Sequence, residues 1–424
     1  MATIALLGSC DTKLEELLFL RDQILQTPNT SVILIDVGRR SIEHEAITIT
    51  QPQLISRYGG TRDAVTHLSR DELVRFMSSC ATKAIKELLD SHSIHAIISA
   101  GGSGGTSLAT KVMRDALPVG FPKMMVSTVA SGDTGPYVGE TDITMMYSVV
   151  DVAGLNQILR DILGNAGAAI AAAAHAYLSR QHQQKQAPNP QTPRKKRVGI
   201  TMFGVTTPGV DAIRHFLESP STNPSVPIET YIFHATGHGG RAMERLIRER
   251  QLDAVLDITT TEIVDHLTGG VMSAGPGRLA AAARAGIPTI VSLGATDMTN
   301  FGPRDTVPER YQDRKLYVHN PVVTLMRSSA DECRRVGEFI CDKLKAAGRP
   351  EMVQVWIPRG GVSMLSTAGG PFEDREADEV LFGAVREGLR GSGVVVVEDE
   401  RDVNDGGWAR DVAGALVRLM GEGV

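Results

Sequence analysis

Aromatic side chains are scarce in this chain, at 4% of 424 residues, and cysteine is scarcer still, at four. So few rings leave the core to Ala, Val, Ile and Leu, and four cysteines in this length exclude a disulfide scaffold. No charge of one sign dominates. The formal net charge of −5 gives no global attraction to nucleic acid or to an anionic membrane, so neither is expected as a partner. Long hydrophobic runs are missing too: the longest, residues 166–178, is alanine-rich, interrupted by His175 and too short to span a bilayer. The opening MATIALLG reads straight into a strand, with no basic segment or cleavage site, which predicts a cytoplasmic protein.

Glycine is abundant, at 43 residues, with 20 prolines and 42% hydrophobic residues. Aliphatic strands joined by glycine turns suit a buried parallel sheet with covering helices. The length calls for two or three domains at roughly 100–200 residues each. One composition shift divides the chain. Residues 179–197, SRQHQQKQAPNPQTPRKKR, are too poor in aliphatic side chains to offset ordering entropy and read as a linker. Its basic end, 193–197, superficially resembles a nuclear-import patch, and a solvated approach to the next strand is the plainer reading. The expected domains are therefore 1–178 and 198–424.

Both halves open with a strand, a small-residue loop and a helix: TIALL into GSCDTK, and RVGITMF into GVTTPG. Further short apolar strands are expected at 32–37, 96–100 and 123–128, then at 228–234, 254–258, 289–292, 352–357 and 394–397. Helical runs separate most of them, which predicts two α/β, Rossmann-like domains with mainly parallel sheets and right-handed crossovers. Cys333 and Cys341 recur with Val336, Gly337, Ile340 and Leu344 at helical spacing, on an expected core face.

The strongest local signal is the run Gly101, Gly102, Ser103, Gly104, Gly105, Thr106 between a strand and a helix. Glycines there let a backbone approach an anion, and the helix start presents free N–H groups. The run lacks the lysine of a P-loop, so a phosphate or carboxylate cradle and a plain tight turn are the two readings. Other strand ends should converge on the same edge: Gly8, Ser9, Asp11, Thr12 and Lys13; Asp36 with Gly38; and Thr128 with Ser131 and Gly132. Cys10, near a helix start, reads either as a thiol of lowered pKa or, more plainly, as an ordinary loop thiol. In the second half His234, His238, Glu262, Asp297 and His319 lie at presumed strand ends. They suit either acid–base or metal chemistry, or capped helix starts and satisfied loops.

Many motifs together resemble one family: GSCDTK, AGGSGGT, STVASGD, ITMMYSVVDVAGLN, FGVTTPGV, FHATGHGG, LDITTTE, GGVMSAGPGR and RSSADECRRVG. It is the little-characterised bacterial, fungal and plant family that includes the inhibitory N-terminal region of the tomato mosaic virus resistance protein. The resemblance implies two Rossmann-like domains, ATP binding in the first, and a dimer. By motif match the nucleotide falls to the glycine run, residues 8–13, Asp36 and residues 128–132.

The first functional expectation is an ATP-binding protein with its ligand at the inter-domain cleft. Lys13, Arg39 or a Mg²⁺ ion would neutralise the triphosphate. The second is a metal-assisted hydrolase or lyase acting on a carboxylated or phosphorylated small molecule, with its chemistry in the second domain. The third is an inhibitory protein-interaction domain. An aliphatic and alanine-rich helix, with Leu155, Ile158, Leu159, Ile162, Leu163, Ala166, Ile170 and Ala173, is broad enough in its apolar surface to predict a homodimer.

Overall fold

The computed structural model describes residues 1–60, 65, 67–186, 194–220 and 227–421. They fall into two compact units, Met1–Asn189 and Pro190–Val424.

The first unit runs β1 (Ala2–Gly8), α1 (Cys10–Leu25), β2 (Thr30–Asp36), β3 (Ile47–Ile49), α2 (Gln51–Tyr58), α3 (Arg70–Asp90), β4 (Ala96–Gly101), α4 (Ser103–Ala116), β5 (Lys123–Ser127), α5 (Gly135–Val138), β6 (Thr144–Tyr147) and α6 (Gln157–Gln186). Its sheet has the order β3-β2-β1-β4-β5-β6, and every pair is parallel. This is the doubly wound order, with the chain reversing direction across the sheet between β1 and β4. Strand alternation divides the core: Ala5 and Leu7 face α3 and α4, while Ile4 and Leu6 face α1 and α6.

The second unit runs β7 (Lys196–Met202), α7 (Thr207–Glu218), β8 (Ile228–His234), α8 (His238–Arg248), β9 (Ala254–Thr259), α9 (Thr261–Thr268), α10 (Ala280–Ala285), β10 (Thr289–Gly294), β11 (Met298–Phe301), β12 (Leu316–Asn320), β13 (Val323–Arg327), α11 (Ala330–Leu344), β14 (Val353–Pro358), α12 (Arg375–Gly388), β15 (Val395–Asp399) and α13 (Gly406–Leu419). Its parallel sheet, β15-β14-β10-β9-β7-β8, reverses between β7 and β9. A separate antiparallel sheet, β11-β13-β12, is inserted after β10. Two α/β units with mainly parallel sheets are thus what the sequence led us to expect, and the three-stranded addition is not. Cys333 and Cys341 lie buried in the core beside α12, as their spacing predicts.

The boundary differs from expectation. Residues 179–186 continue α6, and Lys196 and Arg197 already belong to β7. Ser-Arg-Gln-His-Gln-Gln-Lys-Gln holds no Gly or Pro, and extending an existing helix costs far less than starting one. Residues 187–193 of the expected linker, Pro193 of the basic patch among them, lie outside the described residues. Arg197 is ion-paired with Asp253.

On α6 the buried positions Leu159, Leu163, Ala166, Ile170, Ala171 and Ala174 form one stripe packed on α1 and the sheet. Ile158 is half exposed, and Ala168, Ala169 and Ala172 face outward. The aliphatic surface read as a wide band is therefore mostly covered within its own unit. No helix among the described residues is long and apolar enough to cross a membrane.

Candidate functional site

The carboxyl ends of β1 and β4 open into a cavity of about 940 Å³, and every residue lining it belongs to the first unit. Crevices at such reversal points are where doubly wound sheets take ligands. Gly101, Gly102, Ser103, Gly104 and Gly105 form one wall, where β4 turns into α4. The N-cap of α4 is Gly102, with no side chain to cap the helix, so the first turn keeps its N–H groups available. The turn is held from behind. Thr106 donates to the Gly102 carbonyl at 2.9 Å and shares a 2.6 Å hydrogen bond with Ser127, both side chains being buried. A Cβ built on Gly105 meets nothing within 4 Å, so the backbone there is open on the side a ligand would use.

The opposite wall is the turn from β1 into α1, with Gly8, Ser9, Asp11, Thr12 and Lys13. Two aspartates fix it. Asp36, at the end of β2 and fully buried, accepts the N–H of Cys10 at 3.0 Å and of Gly38 at 2.9 Å. Asp11 reaches the other way and accepts the N–H groups of Arg39 and Arg40, each at 3.2 Å. The loops after β1 and β2 therefore brace each other, and both arginines are presented to the cavity.

These contacts separate lining residues from supporting ones. Of the expected nucleotide set, Gly8, Ser9, Asp11, Thr12, Lys13, Arg39, Gly101, Gly102, Ser103, Gly104, Gly105 and Thr128 line the cavity. Asp36, Gly38 and Thr106 lie behind it, and Ser131 and Gly132 are exposed on the loop past β5. Asp36 is thus a brace: burial pushes its carboxyl up, and the second carboxylate oxygen has no hydrogen-bond partner. Cys10 is buried, and burial together with neighbouring Asp36 pushes its thiol far above the ordinary range. Of the two readings of Cys10, a thiol of lowered pKa and a plain loop thiol, the first is corrected accordingly: two carboxylates and desolvation outweigh the helix dipole.

The structure adds cations that sequence order did not reveal. Arg70, the first residue of α3, extends over the glycine turn, with its guanidinium 3.1 Å from where a Gly104 Cβ would stand. It is exposed and forms no ion pair among the described residues. Lys13, Arg39, Arg40 and Arg70 together line the cavity against the carboxylates of Asp11 and Asp151. Lys13 also donates to the Val152 carbonyl, and Arg39 to that of Leu68 at 2.8 Å.

The second unit spends its strand-end charges internally. Arg278, fully buried, is bound by Asp257 through both terminal nitrogens and by Glu262 through Nε at 2.8 Å, with Glu244 3.8 Å away. Glu262 also accepts the N–H groups of Gly237 at 2.6 Å and Gly240 at 3.0 Å, and Thr201 donates to Asp257 at 2.8 Å. Burial raises the Glu244 carboxyl against the pull of Arg278. Asp297 sits in a separate network, accepting the Ser363 hydroxyl at 2.7 Å; burial pushes it up to about 6 against the opposing charge of Arg327. His234, His238 and His319 are all exposed; His234 packs on Phe203, and His238 meets Arg241 at 3.0 Å. The five expected catalytic residues are not gathered into one network, and no group of three or more His, Cys, Asp or Glu that could hold a metal occurs among the described residues. The sequence signal missed here was Arg278 itself, in GGVMSAGPGR, to which the acids belong.

Comparison with known proteins agrees with the motif resemblance. Residues 2–179 match the N-terminal domain, and residues 195–420 the C-terminal domain, of the uncharacterised protein family UPF0261. The chain is 42% identical over 424 residues to a UPF0261 protein of Clostridium tetani, covering 98% of each. It is 44% identical over 417 residues to one of Mesorhizobium japonicum, covering 98% of this chain and 99% of that one. The ToMV resistance protein Tm-1(GCR237) of Solanum lycopersicum is 37% identical over 392 residues, spanning 88% of this chain and 50% of the plant protein. Among solved structures, a putative UDP-N-acetylglucosamine 2-epimerase from Listeria monocytogenes covers 92% of this chain and 96% of its own at 12% identity. Its TM-score of 0.22 carries no argument about ligand or activity. On the two domain matches and the full-length relatives, the chain belongs to the UPF0261 family.

Proposed function

We propose that the first unit is a nucleotide-binding module for ATP, with the phosphates at the glycine turn and the start of α4. The observation that carries this reading is the cavity of about 940 Å³ at the β1/β4 reversal, walled by an uncapped glycine turn and lined by four cations. Uncapped N–H groups and the helix dipole favour an anion at that point. Lys13, Arg39, Arg40 and Arg70 supply charge that backbone groups alone do not. The volume suits a ligand of nucleotide size, and the motif resemblance to the resistance-protein family points to ATP in particular.

The same donor set fits Mg²⁺ only as a companion of the nucleotide. Asp11 and Asp151 are the carboxylates lining the cavity, and a Mg²⁺ ion commonly takes one or two carboxylates with phosphate oxygens completing its shell. The chain's own residues bind and orient; no general base stands among the lining residues beyond those two carboxylates. The reading is therefore of a binding module.

Calorimetric titration of ATP, with and without Mg²⁺, tests it. Saturable binding at one site per chain is expected. Arg70→Ala should weaken it about tenfold, the order of one charge-assisted contact. Absence of heat from micromolar to millimolar ATP would remove the proposal.

A further inference from the structure

Away from the glycine turn, the second unit holds a groove of about 380 Å³ where the ends of α8, α10 and α11 approach each other. Arg248, Arg250, Arg284 and Lys343 line it, and no carboxylate does. Several other arginines of this unit are matched to acids: Arg197 to Asp253, Arg245 to Glu249, Arg278 to Asp257 and Glu262, Arg314 to Glu332, Arg327 to Asp378. The four groove cations form no ion pair with any described residue. Lys343 rests over the Phe339 ring at 4.9 Å, a contact that holds the ammonium in place without bringing a formal negative charge to it.

Helix carbonyl ends attract one basic residue apiece, and that accounts for Arg248, Arg284 and Lys343 taken singly. It does not account for their convergence, nor for Arg250. That residue lies beyond α8 in the left-handed region, with φ of 56°, a position where glycine is the usual occupant. The floor is made of small residues, Gly277 and Ala281 among them, so a ligand can approach the backbone closely. No aromatic ring lines the groove to stack a base.

We infer that this groove is an anion site, distinct from the nucleotide cavity, for a compact ligand carrying two or more phosphate groups. Four like charges with no carboxylate among them, and only the partial charge of helix ends to offset them, repel one another; a bound oligophosphate relieves that repulsion while meeting several donors at once. The ligand is either a free oligophosphate or the phosphate arm of a nucleotide; the missing aromatic wall favours the former.

The test uses the full chain with Gly105→Val, which blocks the glycine turn of the first unit, and sodium tripolyphosphate as probe. Calorimetry near physiological salt should show saturable binding at one site. Arg284→Ala with Lys343→Ala should weaken it at least tenfold, while Arg284→Lys with Lys343→Arg stays within about threefold. Unchanged melting temperatures would confirm that substitutions at exposed Arg284 and half-buried Lys343 spare the fold. ATP in the same background should bind no tighter than tripolyphosphate. Lack of tripolyphosphate binding, equal binding by the alanine pair, or ATP binding tenfold tighter than tripolyphosphate would each overturn the inference. The alanine-pair comparison is read at the groove alone and does not depend on whether the first unit binds ATP; the ATP arm is read as the part of the binding that the alanine pair removes.

Discussion

The guanidinium of Arg278 gathers Asp257 and Glu262, with Glu244 close by, in a volume that water does not reach. Removing it leaves carboxylates buried without their counter-charge, a change that costs about 3–5 kcal/mol in comparable settings. Arg278→Ala should therefore destabilise the second unit by that order. Both tryptophans, Trp356 and Trp408, are buried in this unit, so their fluorescence during urea unfolding reports on it. An unfolding midpoint equal to wild type would contradict the assignment. The same residues mark where sequence reading reaches its limit. Asp257 lies within β9 and Glu262 in the first turn of α9, close to the strand end expected for Glu262, yet their chemistry is decided by an arginine that folding brings to them across 21 and 16 positions. Asp36 is a parallel case: its place at the end of β2 was legible, and its inward orientation toward Cys10 was not.

Helix and strand identity was easier to read than side-chain direction. The strand expected at 228–234 is β8 residue for residue, and the other central strands agree within two residues at either end. The elements that escaped are short: β3 has three residues, β6 and β11 four, β12 and β13 five, too few for periodicity to declare itself. At this scale the contact between α1 and α6 is the most exacting. A Cβ on Gly167 would lie 2.9 Å from the Gln23 Cβ and 3.2 Å from the Ile24 backbone nitrogen. Backbone cannot yield as a flexible side chain can, so Gly167→Val should cost about 1–3 kcal/mol through overpacking. Hydrogen exchange should show faster opening of α1 and α6 in the variant, with α3 and α4 on the opposite face less affected. Uniform protection in both proteins would mean that the two helices part more easily than the packing indicates.

Across the whole molecule, buried acids give the second unit a distinctive pH response. Burial pushes Asp265 up to about 7, and Asp297 and Asp378 up to about 6. Each holds its proton in the folded state over a range where the unfolded chain has lost it, from about 4 upward. The folded state then binds more protons, so stability is greatest at the acid end of that window, falls as pH rises, and levels off above about 7. The fluorescence-detected stability should thus be greater at pH 5 than at pH 7.5, and Asp265→Asn should flatten the slope. A stability rising with pH over that interval would show that these carboxyls ionise freely within the fold.

Gly105→Val is the sharpest probe of whether the glycine turn of the first unit holds the nucleotide. A Cβ at that position meets no protein atom within 4 Å, and valine is a better helix former than glycine inside α4. The variant should melt at or above the wild-type temperature while its calorimetric response to Mg-ATP falls by at least a hundredfold in affinity. A variant that folds normally and binds Mg-ATP as tightly as wild type would show that the turn does not hold the nucleotide.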